Sequence, residues 1–160
     1  MKDHRTVIVI GFGNGFRADD AVGFFAAERI RDMNLPGVTV RCISGDGMSL
    51  IEEWTVYDRA ILIDGTFSGL AAGTIRRFDA LKEDVPVEAF RKHSTHSFGI
   101  PEITAMAGEL GRHPAEVTVY GIEGADFTPG HNMTGAVRRA ALALVARLAR
   151  GELVPDGETR

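Results

Sequence analysis

The sequence predicts an α/β fold: a three-layer sandwich in which a mainly parallel, twisted sheet carries helices on both faces. Three features predict it. Short, wholly apolar runs rich in β-branched residues, Val7-Ile8-Val9-Ile10 and Ala60-Ile61-Leu62-Ile63, have the character of strands covered on both sides. Segments with apolar residues at helical spacing fall between such runs. Glycines and acidic residues gather where the runs end, which is where ligands sit in sheets of this kind.

The first strand covers residues 6–10, and 11–18 breaks its pattern. Asp19-Asp20 then open a helix through Ile30, with acids in the first turn and Arg29 and Arg31 in the last, as the helix dipole favours. Residues 38–43 read as a second strand and 49–56 as a short helix. A third strand over 60–63 is terminated by Asp64-Gly65, and 74–78 forms an outlying strand. Residues 82–92 read mostly as loop. Helical spacing returns over 100–110, with Ile103, Met106, Ala107 and Leu110 on one face and Gly111 ending it. Residues 117–122 form a strand. Residues 134–150 form a long helix buried through Val137, Ala141, Leu144, Val145 and Leu148. Residues 1–151 make a single domain and 152–160 a loose tail.

Composition narrows the function. The chain has 160 residues, 44% hydrophobic and 25% charged, so it is a folded domain rather than a disordered segment. A formal net charge of −4 argues against a nucleic-acid partner held by bulk electrostatics. No apolar run reaches the roughly 18 residues of a membrane helix, and residues 7–10 lack the length and cleavage context of a secretory signal. No membrane insertion and a cytoplasmic location are expected. Cys42 is the single cysteine, which excludes an internal disulfide and a multi-cysteine metal cluster.

Three segments converge on one rim of such a sheet. Gly11-Phe12-Gly13-Asn14-Gly15 follows the first strand, and its glycines permit positive φ and close approach to the backbone. It is not a dinucleotide loop, because Phe16 stands where G-x-G-x-x-G requires its last glycine. The G-x-G-x-G pattern keeps a nucleotide or methyl donor open as an alternative ligand. Of Asp19 and Asp20, one readily faces the cleft while the other caps the helix or is solvated. Gly23, three residues on, lets the helix sit close to the sheet. Asp64 ends a buried strand, where a carboxylate is costly unless it binds a cation or accepts hydrogen bonds. His93 and His96 share a face if helical, whereas in a loop only one points inward. An imidazole with two carboxylates makes an N,O ligand set for nickel, zinc or iron. His4, His113 and His131 have no such context.

Together these segments resemble the hydrogenase maturation endopeptidases, which trim the large subunit of nickel–iron hydrogenases. The residues that carry the resemblance are Gly11-Phe12-Gly13-Asn14, Arg17-Ala18-Asp19-Asp20-Ala21-Val22-Gly23, Ile61-Leu62-Ile63-Asp64, Ser94-Thr95-His96 and Tyr120-Gly121-Ile122-Glu123-Gly124, in family order over roughly residues 5–150. The resemblance implies an α/β sandwich peptidase with Asp20, Asp64 and His96 contacting the metal, and it leaves open whether they also act in peptide hydrolysis. Gly11, Gly13, Asn14 and Gly23 would shape the loop that holds Asp20. His93 falls off the motif. The implied partner is the precursor large subunit, from which a C-terminal extension is removed. Nickel would be presented by that substrate rather than tightly held. Asp46, Gly47, Met48 and Ser49 occupy a region that the resemblance links to substrate choice, although many members have an acid followed by glycine and threonine there. Gly15-Phe16 and Gly124 also depart from the usual pattern, the latter standing where proline is common. The absence of H-E-x-x-H excludes a zincin mechanism. A non-catalytic nickel-binding or hydrogenase-docking chaperone on the same scaffold is the alternative, with a nucleotide- or methyl-donor-binding enzyme behind it.

Overall fold

The computed structural model describes residues 5–45, 47–90 and 98–153. Five strands form one sheet: β1 (Val7–Phe12), β2 (Val38–Ile43), β3 (Arg59–Thr66), β4 (Ile75–Asp79) and β5 (Glu116–Glu123). Their spatial order is β2-β1-β3-β5-β4, parallel throughout except for the antiparallel edge strand β4. The helices are α1 (Val22–Asp32), α2 (Leu50–Glu53), α3 (Val87–Phe90), α4 (Ile100–Leu110) and α5 (Gly135–Arg150).

The expected three layers are present, and strand alternation builds them. Val7, Val9, Ile61, Ile63, Tyr120 and Ile122 face one side, where Val22, Ala26, Ala27 and Ile30 of α1 and the predicted stripe of α5 cover them. Ile8, Ile10, Phe12, Ala60, Leu62, Val117 and Val119 face the other side, beneath α2, α3 and α4. Covering both faces lets the central strands be apolar at nearly every position.

Helix α1 lies unusually close to the sheet because glycines meet there. A Cβ on Gly23 would run into the carbonyl oxygens of Phe12 and Ile63, and one on Gly11 would meet the backbone of Gly23. The obstacles to a Cβ on Gly23 are backbone atoms of the central strands β1 and β3, which have no room to yield. Gly23→Ala is therefore expected to cost about 1–3 kcal/mol, seen as a lower urea midpoint. An unchanged midpoint would mean that α1 can lift off the sheet without loss.

The structure differs from the sequence expectation at several points, each for a tertiary reason. β3 does not stop at Asp64-Gly65. It runs to Thr66 because β5 pairs with it to the end, Asp64 opposite Gly121 and Thr66 opposite Glu123. Likewise β1 continues through Gly11 and Phe12, which pair with Cys42 and Ile43. Within 82–92, a four-residue helix, α3, buries Ala89 and Phe90. The buried face of α4 runs through Ile100, Ile103, Thr104 and Ala107, while Leu110 is 57% exposed. Thr104 fits because its hydroxyl donates to the carbonyls of Ile100 and Pro101. The start of the expected tail is packed: Leu153 is buried, and Glu152 accepts from Tyr120 and pairs with Arg77.

Candidate functional site

Asp19 and Asp20 lie in a 3-10 turn, Ala18–Ala21, that precedes α1 rather than in its first turn. The loop into that turn closes on itself. The Asn14 side chain accepts from the Phe16 N–H at 2.9 Å, and the Asn14 N–H donates to the carbonyl of Asp20 at 3.2 Å. Gly13, at φ +146°, lies against that carbonyl, where a Cβ has no space. Ala18 is buried at φ +45°, a left-handed conformation uncommon for alanine, and its N–H donates to the carbonyl of His131.

The adjacent aspartates have different surroundings. Asp19 is fully buried, and its carboxylate accepts from the N–H groups of Ala125, Asp126 and Thr134 and from the Thr134 hydroxyl. It ties the turn to the loop after β5 and to the start of α5, since Thr134 is the N-cap of that helix. Asp20 is partly exposed. His131 is exposed, and its ring pairs with Asp126 at 2.9 Å. The Thr128 hydroxyl, then the His131 imidazole and the Thr128 N–H, hold the Asp126 carboxyl down at about 2.

Asp64 sits near the carboxyl end of β3, 6% exposed, with one carboxylate oxygen accepting from the Gly65 N–H at 2.7 Å. A Cβ on Gly65 would lie 3.1 Å from the carbonyl oxygen of Asp19, so the end of β3 packs directly on the turn that carries Asp20. Asp20 and Asp64 thus occupy the exits of two hydrogen-bonded parallel strands, where sheets of this kind bind ligands.

Asp46, His93, Ser94, Thr95 and His96 lie outside the described residues, as does His4. Among the described residues, no three His, Cys, Asp or Glu side chains group as a metal site. The neighbours of these segments are described. The Gly47 N–H donates to the carbonyl of Phe98 at 3.3 Å, joining the segment before α2 to the one before α4. Gly47 is buried with no room for a Cβ beside Ile103 and Phe12, whereas Met48 and Ser49 are exposed. Cys42 is half-buried, and burial pushes its thiol up, which argues against a catalytic thiolate.

One buried acid of this rim received no role from sequence reasoning. Glu123, at the end of β5, is 1% exposed and accepts from the Thr66 hydroxyl and from the Ser68 hydroxyl and N–H. Burial pushes its carboxyl up, but the Ser68 N–H, the two hydroxyls and the charge of Arg76 outweigh this and hold it below the usual range. The signal that singled out Asp64, an acid closing a buried apolar run, is equally present in Val119-Tyr120-Gly121-Ile122-Glu123.

Comparison with known proteins gives the family and the shared fold. The family described as hydrogenase maturation protease matches residues 30–150. The hydrogenase expression/formation protein HupD of Thiocapsa roseopersicina is 28% identical over 128 residues, which cover 77% of this chain and 56% of that protein. HupD of Rhizobium leguminosarum bv. viciae is 28% identical over 150 residues, covering 90% and 72% respectively. The chain thus spans only about half to three quarters of the length of these relatives. Among solved structures, the Escherichia coli hydrogenase maturating endopeptidase HybD superposes with a TM-score of 0.73 at 23% identity, covering 94% of this chain and 98% of that one. HycI, a [NiFe] hydrogenase maturation protease from Thermococcus kodakarensis KOD1, gives 0.72 at 21% identity with 92% of each chain covered. At such identities the likeness establishes the shared fold.

Proposed function

This chain belongs to the hydrogenase maturation protease family, a family of peptidase hydrolases, and we propose that it is an endopeptidase that removes the C-terminal extension from the nickel-loaded precursor large subunit of a nickel–iron hydrogenase. The observation that supports this reading is the packing of the turn that carries Asp20 against the end of β3, which carries Asp64, in a chain that matches the family over residues 30–150.

In this reading Asp20, Asp64 and His96 offer two carboxylates and an imidazole to nickel that arrives with the substrate. Hard oxygen and borderline nitrogen donors suit a divalent first-row ion, and a three-donor set leaves positions for ligands the substrate supplies. The contact reports that metal insertion is complete and seats the scissile peptide beside the same residues. Gly11, Gly13, Asn14 and Gly23 shape and seat the turn that presents Asp20. Gly47, Met48 and Ser49, which follow the neighbouring strand β2, select among large subunits together with Asp46, their neighbour in the sequence. No helix among the described residues is long and apolar enough to cross a membrane. The reaction is assigned to the cytoplasm, with no nucleic-acid partner.

The test is the intact mass of the host's hydrogenase large subunits with and without this gene. A deletion strain is expected to retain a C-terminal extension that the wild-type copy removes and His96→Ala does not. Fully trimmed subunits in the deletion strain, together with no cleavage of a nickel-loaded precursor by the purified protein, would overturn the proposal and favour a docking chaperone.

A further inference from the structure

Resting on that reading, we propose that Glu123 is a positioning residue, a buried carboxylate that anchors the exit of β3 and so sets the aim of Asp64. Between Asp64 and Thr66 stands only Gly65, whose N–H donates to the Asp64 carboxylate at 2.7 Å. A glycine at that point leaves the peptide free to rotate unless the chain is held just beyond it. The ladder to β5 holds the backbone through Thr66, and the Glu123 side chain fixes the Thr66 side chain and the chain beyond it. One Glu123 oxygen accepts from the Thr66 hydroxyl and the Ser68 hydroxyl, both at 2.8 Å, and the other from the Ser68 N–H at 2.7 Å.

The backbone of the same residue works in the same direction. Its N–H donates to the carbonyl of Thr74 and its carbonyl accepts from Gly73, while the Gly124 N–H donates to the carbonyl of Thr66. Gly121 lies opposite Asp64 in the ladder, and a Cβ there would meet the Thr66 methyl at 2.7 Å, so the small residue makes room for Thr66. Arg76, on the edge strand, places its guanidinium 3.2 Å from the Ser68 hydroxyl and supplies a positive charge to the cluster. With three donors on its two oxygens, Glu123 is engaged as an anchor rather than offered as a ligand.

The link depends on the polar head of this side chain. Glutamine can keep it, because its NH2 can donate to the two hydroxyls while its oxygen accepts from the Ser68 N–H, whereas methionine offers neither group. Glu123→Met therefore nearly keeps the volume and loses the clamp. Thr66→Val loses the hydroxyl link while leaving Glu123 in place.

The full-length protein and these two variants, with the double variant, would be tested in two ways. The first measures kcat and KM on nickel-loaded precursor. The second follows the Gly65 amide resonance in the free protein, which reports the hydrogen bond to Asp64. Each single variant is expected to lower kcat roughly tenfold while KM stays within about twofold, and to shift the Gly65 amide. Because both act through one link, the double variant should be no worse than the more damaging single variant. Additive losses in the double variant would overturn the proposal. So would wild-type kcat and an unmoved Gly65 amide in a folded Glu123→Met protein. Where Glu123→Met does not fold, Thr66→Val alone decides by the same two readouts. Should wild-type protein fail to process any precursor, the functional reading falls, while the Gly65 resonance still decides whether Glu123 positions Asp64.

Discussion

Asp64→Asn is expected to abolish processing, lowering the trimming rate by about a hundredfold or more, while the protein unfolds at the wild-type temperature or above it. Asparagine has nearly the same shape as aspartate, and its carbonyl-type oxygen can still accept from the Gly65 N–H, the hydrogen bond seen at 2.7 Å. What disappears is the negative charge and, in the proposed function, the anionic donor to the substrate's nickel. The stability side has its own physical sign. Asp64 is 6% exposed at the end of a buried strand, and keeping a carboxylate there costs desolvation energy that an amide largely avoids. A residue kept for function at the expense of stability gives opposite responses in the two assays. A mass-spectrometric time course on nickel-loaded precursor, paired with thermal unfolding, measures both. Trimming at the wild-type rate would remove Asp64 from the site.

The neighbouring aspartate is expected to respond in the opposite way. Asp19→Ala removes the acceptor for three backbone N–H groups and a hydroxyl, at distances from 2.7 to 3.0 Å, in a fully buried position. Each buried donor left without a partner costs about 1–3 kcal/mol, so the variant should lose on the order of 3–5 kcal/mol. That is a large part of the roughly 5–15 kcal/mol by which domains of this size are stable, and urea unfolding measures it directly. Asp19→Asn, which retains one acceptor oxygen, should lose about 1–3 kcal/mol. Any loss of processing in these variants should follow the fraction unfolded rather than appear in the folded protein. A midpoint for Asp19→Ala within about 1 kcal/mol of wild type would mean that the loop after β5 finds other acceptors.

Taken together, the two substitutions separate roles that the sequence leaves entangled. Asp19 and Asp20 are chemically identical neighbours, and reading along the chain assigns one of them to the cleft and leaves the other to cap the helix or face solvent, whereas Asp19 is buried and caps no turn of α1. The answer for Asp19 depends on residues 106, 107 and 115 positions away. Glu123 is a similar case: its motif is visible in the sequence, but its partners Thr66 and Ser68 are 57 and 55 positions away. No local pattern encodes which distant N–H groups will surround a carboxylate, because sheet pairing brings them together only when the chain folds.

Secondary structure shows the same division. β2 and α4 have the bounds that periodicity predicts, since apolar spacing and punctuation by Gly111 are local properties. The end of β3 does not, because glycine after an acid reads as a stop until β5 is seen to pair with it through Thr66. Helix α3 was illegible for a different reason: four residues are too few to show a helical period, and α3 forms because Ala89 and Phe90 are buried against the sheet.

By itself, then, the sequence determined the α/β class, the burial of the central strands on both faces, the long C-terminal helix and the rim where Asp20 and Asp64 lie. All of these follow from residue type and short-range spacing. Only the tertiary structure decided that Asp19 is a buried fastener, that β3 runs on past Asp64 and that Glu123 clamps its exit. Each of those outcomes is a hydrogen-bond assignment across strands and loops far apart in the chain. A buried carboxylate takes its role from the donors that surround it.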